Sequence, residues 1–350
     1  MSNIFTETEG AAAGGDLIDI VVVNWNAGRQ LHACLQSIGE HAPLRETHVI
    51  IVDNASSDGS TILPDGPNLS LSMVLNRRNR GFGAACNQGS RAGQAPFILF
   101  LNPDARLTAG CIERLIGQFL ADDLPEVGVV GPRLIDEGGK LSRHCARVPR
   151  ARDMLGQVIG LDRLFPKLFR PHFMTDWEHR QTRDVGQVMG AALMIRRDVF
   201  ERLNGFDERF FMYFEDLDLC VRAARDNFRV VYCAEAAAVH VGGVSSEQAR
   251  DRRLSRFQTS LVSYAFKHHG LGVASLAAAG ILFIQLPVRF IAALRPSGAS
   301  RPSDVVKGAF QFLSTLFHST RRRLLTGTAR SVPEPQTAAS RRDSSAGITN

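Results

Sequence analysis

The chain has 350 residues, 44% hydrophobic and 22% charged, with a formal net charge of +6. This is long enough for one large α/β domain plus an appendage, and the composition excludes a disordered or collagen-like chain. Six scattered cysteines without a Cys-x-x-Cys pair speak against a disulfide framework or zinc site and for buried thiols in a reducing compartment. The charge is uneven: residues 245–330 carry +10 and residues 1–244 about −4, so a basic segment suited to an anionic partner is joined to a mildly acidic body.

Residues 1–16 are expected to be a flexible N-terminus; Glu7 and Glu9 and the lack of a basic-then-apolar leader predict a cytosolic start. Asp19–Val23 is an apolar β-branched run ending at Asn24-Trp25-Asn26, and Leu31, Cys34, Leu35 and Ile38 follow at helical spacing. Val49–Val52 runs into Asp53-Asn54-Ala55-Ser56-Ser57-Asp58-Gly59, and Phe97–Leu101 into Asn102-Pro103-Asp104. Continuous apolar strands separated by helical segments predict a parallel sheet covered on both faces, with ligands beyond the carboxyl ends of the strands. Val127–Val130 and Val188–Ile195 read as buried strands, Asp198–Leu203 and Asp216–Asp226 as helices, and Val230–Tyr232 and Ala237–Val239 as closing strands with His240 at the end. Residues 140–185 are basic and aromatic and give no clear pattern.

Beyond His240 the pattern changes. Arg250–His269 is a basic helical segment, and Gly270–Val288 holds 19 uncharged residues interrupted by Gln285 and Pro287. That length just reaches a membrane span, while its alanines, glycines and proline keep interfacial insertion and a soluble core helix open. The boundaries expected are 17–245 for a catalytic domain, 246–330 for a helical membrane-associating appendage, and 331–350 for a disordered tail.

Glu215-Asp216-Leu217-Asp218 sets acids in an aromatic surround, which suits either a general base or a helix start stabilised by the positive end of its dipole. Asp53, Asp104, Asp216 and His240 all flank apolar elements. Singly, each suits a turn or a strand end; together at one sheet edge they could position a divalent cation and a base.

The ordered set Val52-Asp53-Asn54-Ala55-Ser56-Ser57-Asp58-Gly59, Asn79-Arg80-Gly81-Phe82-Gly83 through Gly89, Leu101-Asn102-Pro103-Asp104 and Gly205-Phe206-Asp207 through Cys220 resembles glycosyltransferase family 2, nearest its rhamnosyltransferase-like branch. The likeness covers residues 17–245. It implies an α/β GT-A fold with a mostly parallel central sheet, and inverting transfer from a nucleotide sugar. By position, Asp53 and Asn54 correspond to the pair that contacts base and ribose, with Asn24 in the same pocket and Asn79, Gly81 and Asn87 on the second donor-side loop. Asn102-Pro103-Asp104 occupies the family's D-x-D place, with an amide in place of the first carboxylate. Asp104 corresponds to the acid that holds Mn²⁺ or Mg²⁺, and His240 to the second protein ligand. Asp216 corresponds to the base that removes the acceptor proton, and Glu215 to a residue orienting the acceptor.

The resemblance therefore implies a hexosyltransferase moving L-rhamnose from dTDP-L-rhamnose to a polyprenyl-linked glycan acceptor. This would occur at the cytosolic face of an inner membrane, in bacterial cell-surface polysaccharide synthesis, against an anionic membrane surface and without nucleic acid. Alternatives are UDP-galactofuranose, UDP-glucose or GDP-mannose as donor, and, in another class, a dinucleotide-dependent oxidoreductase. No G-x-G-x-x-G follows the first strand to support the last.

Overall fold

The computed structural model describes residues 17–43, 46–62, 69–120, 126–141, 145–174, 176–242, 250–294 and 301–326. The expectations of a flexible segment at 1–16 and a disordered tail at 331–350 fall outside these. In chain order the strands are β1 (Ile18–Asn24), β2 (Thr47–Asp53), β3 (Ser70–Leu75), β4 (Phe97–Leu101), β5 (Ala105–Leu107), β6 (Val127–Ile135), β7 (Cys145–Ala146), β8 (Arg183–Asp184), β9 (Gln187–Val188), β10 (Ala192–Arg196) and β11 (Arg229–His240). The helices are α1 (Arg29–His41), α2 (Phe82–Ser90), α3 (Cys111–Phe119), α4 (Ala151–Ile159), α5 (Leu161–Leu164), α6 (Arg197–Arg202), α7 (Glu215–Arg225), α8 (Arg250–His269), α9 (Leu271–Ala293, with a π turn at Ile281–Gln285) and α10 (Pro302–Thr326).

Nine strands form one sheet in the order β3-β2-β1-β4-β10-β6-β11-β5, with β8 also on β11. Successive side chains on a strand point to opposite faces, so an apolar run such as Ile18–Val23 needs cover on both. Ile18, Ile20 and Val22 pack with Leu31, Cys34 and Ile38 of α1 and Ile112 and Leu115 of α3. Val21 and Val23 pack with Ala85 and Cys86 of α2, Phe200 of α6 and Leu219 and Cys220 of α7. The sheet is less uniform than the sequence suggested, because β10, β5 and β8 run antiparallel to their neighbours. The Val188–Ile195 run is two strands broken at Met189–Ala191, and the two expected closing strands are one, β11, with a register shift between Cys233 and Ala237. All six cysteines are buried and unpaired.

The C-terminal helices share a core with the body. Leu217 and Val221 of α7 and Met154 and Val158 of α4 form one apolar cluster with Leu261, Tyr264, Ala277, Ile281 and Phe312. Gly280 permits the closest approach, since a Cβ there would stand 2.9 Å from Val158 Cγ1. An ionic network adds to this. Asp218 of α7 is 0% exposed and meets Arg222 at 2.8 Å, Lys267 at 2.6 Å and His268 at 2.8 Å; Lys267 also meets Asp207 at 2.7 Å. Lys267, one of the cations of the basic C-terminal segment, is thus committed inside the protein.

Burial alone would raise the Asp218 and Asp207 pKa values. Contacts from His268, Arg222 and Lys267 to the first, and from Arg209 and Lys267 to the second, outweigh it and hold both below the ordinary range. Both groups therefore favour the folded state at neutral pH, and that contribution is lost as pH falls below about 4, where the unfolded carboxyls take protons first. Lys267→Met leaves the buried Asp218 and the half-buried Asp207 each short of a partner and should cost about 3 kcal/mol. Denaturant melts at pH 7 and pH 3 check this: the variant should lose most of its stability difference from wild type at the lower pH.

Candidate active site

The carboxyl ends of β1 and β2 finish in register, Asn24 opposite Asp53. Asn24 Nδ2 donates to Asp53 Oδ1 (2.9 Å) and Ser60 Oγ (2.8 Å), while the backbone N–H of Ser56 donates to Asp53 Oδ2 (3.0 Å). Asn24 Oδ1 is buried with no partner. Asn54 Nδ2 donates to Gly81 O (3.1 Å), its Oδ1 accepts from Asn76 Nδ2 (3.0 Å), and Asn79 Oδ1 accepts from Gly81 N (2.9 Å). Asn24, Asp53, Asn54, Asn79 and Gly81 thereby form one rim.

Gly81 joins that rim to the next loop. Its φ is +91°, and a Cβ would stand 2.4 Å from Phe211 O, the carbonyl that accepts a hydrogen bond from Phe82 N (2.9 Å). Asn87 sits apart from the other candidates. Its amide is engaged with the backbone of Phe206, donating at 2.9 Å and accepting at 2.8 Å, so it anchors the loop before α7 from below.

Antiparallel pairing of β5 with β11 sets Ala105 opposite His240 and brings His240 Nε2 to 3.4 Å from Asp104 Oδ1. Asn102 is half-buried beside them, its N–H donating to Ala191 O (2.9 Å). Beneath, the Cys34 thiol is pushed up by burial and then by the Asp104 charge. Among the described residues no three His, Cys, Asp or Glu side chains surround a common point. Asp104 and His240 thus offer one hard oxygen and one imidazole, a set that fits a divalent cation completing its shell with water and phosphate.

Asp216 opens α7. Its Oδ2 accepts from Gly190 N (2.9 Å) and its Oδ1 from Leu217 N (2.8 Å). Burial raises its pKa, and these two N–H groups partly offset that. Glu215 is pushed well above the ordinary range by burial and then by the Asp216 charge, and its Oε2 is buried without a partner. The N–H groups of Gly190 and Leu217 favour negative charge on Asp216 over Glu215. Tyr213 and Phe214, immediately before, both have φ near +69°. That backbone is costly for aromatic residues and is held by ring contacts with Phe257 and Tyr264 of α8 and by Ser260 Oγ donating to Met212 O (2.8 Å).

Residues 19–203 match the profile of Glycosyl transferase family 2, more than half of the chain. The chain belongs to that family. This glycosyltransferase is 29% identical over 242 residues to the N-acetylglucosaminyl-diphospho-decaprenol L-rhamnosyltransferase of Mycobacterium tuberculosis, covering 64% of this chain and 76% of that one. It is 24% identical over 229 residues to a low-salt glycan biosynthesis hexosyltransferase of Haloferax volcanii, covering 64% and 67%. A solved mannosyltransferase from Pyrobaculum calidifontis, in complex with GDP-Man and Mn²⁺, is similar with TM-score 0.47 and 19% identity over 86% of this chain and 88% of that one. Family membership identifies the sheet and its rim as a GT-A fold and sets aside the oxidoreductase alternative. A hollow of 520 Å³ around Pro96, Phe97 and Arg197 lies at the opposite end of β4 from Asn102 and is remote from this chemistry.

The sequence reading missed Gly190, Ser56 and Ser60, which hold Asp216, Asp53 and Asn24. A glycine inside an apolar strand pattern was the available signal for the first. Gly81→Ala adds a Cβ against backbone at a positive φ; the glycosyltransferase should lose at least about 2 kcal/mol of stability, measurable by urea unfolding.

Proposed function

We propose that this glycosyltransferase moves L-rhamnose from dTDP-L-rhamnose, with inversion, to a lipid-linked glycan acceptor at the cytosolic face of a bacterial membrane. The observation that carries the sugar and the lipid is the likeness to a relative whose name specifies both. On this reading the Asn24–Asp53–Asn54 rim holds the nucleoside. The unpartnered Asn24 Oδ1 is an acceptor available to a base N–H, and Asn79 and Gly81 close the same pocket. A bound Mn²⁺ or Mg²⁺ held by Asp104 and His240 would supply charge to stabilise the departing nucleoside diphosphate.

In transfer, the Asp216 carboxylate takes the proton of an acceptor hydroxyl as that oxygen bonds to the anomeric carbon, and the bond to the nucleoside diphosphate breaks on the opposite face. Each Asp216 oxygen already accepts one N–H, which fixes its direction while leaving a lone pair for the proton. Glu215, keeping its own proton, is a neutral neighbour that can orient the acceptor by hydrogen bonding.

Asp216→Asn should lower transfer by about 10²-fold or more while donor binding persists. Glu215→Gln, which mimics the protonated acid, should lose less and leave the pH–rate profile nearly in place. Equal losses in the two variants would move the base assignment. Asp104→Ala and His240→Ala should weaken donor binding in a way that added Mn²⁺ partly reverses, read by titration of labelled nucleotide sugar with and without chelator.

The membrane reading rests on α9, which has mean hydropathy 2.0, is long and apolar enough to cross a membrane, and is only 28% buried over its most apolar window. Leu276, Phe283 and Ile291 on α9, Phe310 on α10, and Leu164, Phe165 and Leu168 near α5 are exposed. Because α8, α9 and α10 also complete the body's core, we read α9 as lying on the bilayer surface. Burying a phenylalanine is worth about 1.5–3 kcal/mol, so Phe283→Glu should weaken pelleting with anionic vesicles by about tenfold with little change in Tm. Truncation before α8 should yield insoluble protein, because it strips the Leu261–Phe312 half of that core.

A further inference from the structure

We infer that Arg150 and Arg170 hold the diphosphate of an isoprenoid-linked acceptor, in a cavity between the general base and the exposed apolar helices. This rests on the lipid-linked reading above. The cavity, 120 Å³, is lined by Arg147, Arg150, Asp153, Arg170 and His172 with flanking prolines and Val148. Its charge is surplus. Arg147 is paired to Asp176 through both carboxylate oxygens, and Arg152 lies 3.5 Å from Asp153, whose Oδ1 also accepts from the Arg170 backbone N–H at 3.2 Å. Arg150 and Arg170 are exposed and form no salt bridge among the described residues, Arg170 acting only at longer range on the Asp176 that Arg147 already pairs. Two forked guanidiniums in a hollow match a diphosphate, which presents several oxygens to bidentate donors.

Position makes the assignment specific. On one side, Ala146, next to Arg147, pairs with Gln187 of β9, and Gly190, three residues on, donates its N–H to Asp216. The cavity wall and the turn that holds Asp216 are thus joined through the short β7–β9 pair. Gln187 stands between the two: its side chain interacts with His172 of the cavity wall and with Asp216, so cavity and base share one polar side chain. On the other side, α4 starts at Ala151 beside Arg150 and ends at Ile159, which packs on Gly280 of α9. Nine residues at 1.5 Å each place the apolar helices about 13 Å away. A sugar on a diphosphate would thus reach Asp216, while the isoprenoid leaves along α4 toward Leu164, Phe165 and Phe283.

The test uses full-length protein and two acceptors, farnesyl-diphospho-N-acetylglucosamine and a phosphate-free aryl N-acetylglucosaminide. In the double variant Arg150→Gln/Arg170→Gln, KM for the first should rise at least tenfold while KM for the second stays within about twofold; Arg150→Lys/Arg170→Lys should recover most of the difference. Farnesyl diphosphate should compete with the first acceptor on wild type better than farnesol or inorganic pyrophosphate, and should lose that advantage on the Gln variant. If pyrophosphate alone competes as well, the cavity is a free-anion site and the isoprenoid part falls. If the diphosphate-linked acceptor is used but the variant matches wild type, the arginine assignment falls and the proposed function stands. If wild type uses only the phosphate-free acceptor, both fall.

Discussion

Asp218, a carboxylate with no solvent exposure, stands two residues after Asp216, and its neutralisation dictates the architecture around it. Asp218 could be buried only with cations brought to it, because an isolated charge in an apolar interior costs several kcal/mol. Arg222 arrives from its own helix, one turn on, but Lys267 and His268 come from α8. The demand of one buried charge therefore draws a C-terminal helix onto the catalytic helix. Once there, α8 supplies Phe257, Ser260 and Tyr264, which hold Tyr213 and Phe214 in their left-handed conformation. The strained turn in turn sets where α7 begins, and so where Asp216 points.

The donor side depends on a different device. Parallel pairing puts Asn24 beside Asp53 without further instruction, and short polar residues in the following loop lock the pair. Gly81 links the two halves, since its missing side chain allows the donor-side loop to hydrogen-bond the carbonyl of Phe211. The Asn24–Asp53 rim, the start of α7 and the C-terminal helices thus form one mechanical unit. Chain segments far apart in sequence converge on a surface where a nucleotide, a sugar and a lipid could each meet matching chemistry.

Much of this was legible in the sequence. β1, β2 and β4 with their polar carboxyl-end loops are plain in the apolar runs, and the acids of α7 stand out because they interrupt an aromatic stretch. The antiparallel strands were not legible: β5 has three residues, and direction is set by long-range pairing that periodicity does not encode. The structural anchoring by Asn87 was not legible for a related reason. An asparagine on a glycine-rich loop looks like a ligand contact, and only the fold reveals that its amide is engaged by Phe206. The basic C-terminal segment was legible only in part. Counting charges gives +10 for residues 245–330, yet Lys267 answers buried aspartates of the body, which a tally along the chain cannot register.

The six cysteines have a practical consequence. Each is buried, and burial raises the pKa of every one of their thiols, so almost no thiolate is present at neutral pH. They are also distributed through every layer: Cys34 in α1, Cys86 in α2, Cys111 in α3, Cys145 in the small β7–β9 sheet, Cys220 in α7 and Cys233 in β11. Alkylating reagents would accordingly find the folded protein almost inert and modify each layer only as it opens. Without any engineered label, the chain carries its own set of reporters on the order in which its layers come apart.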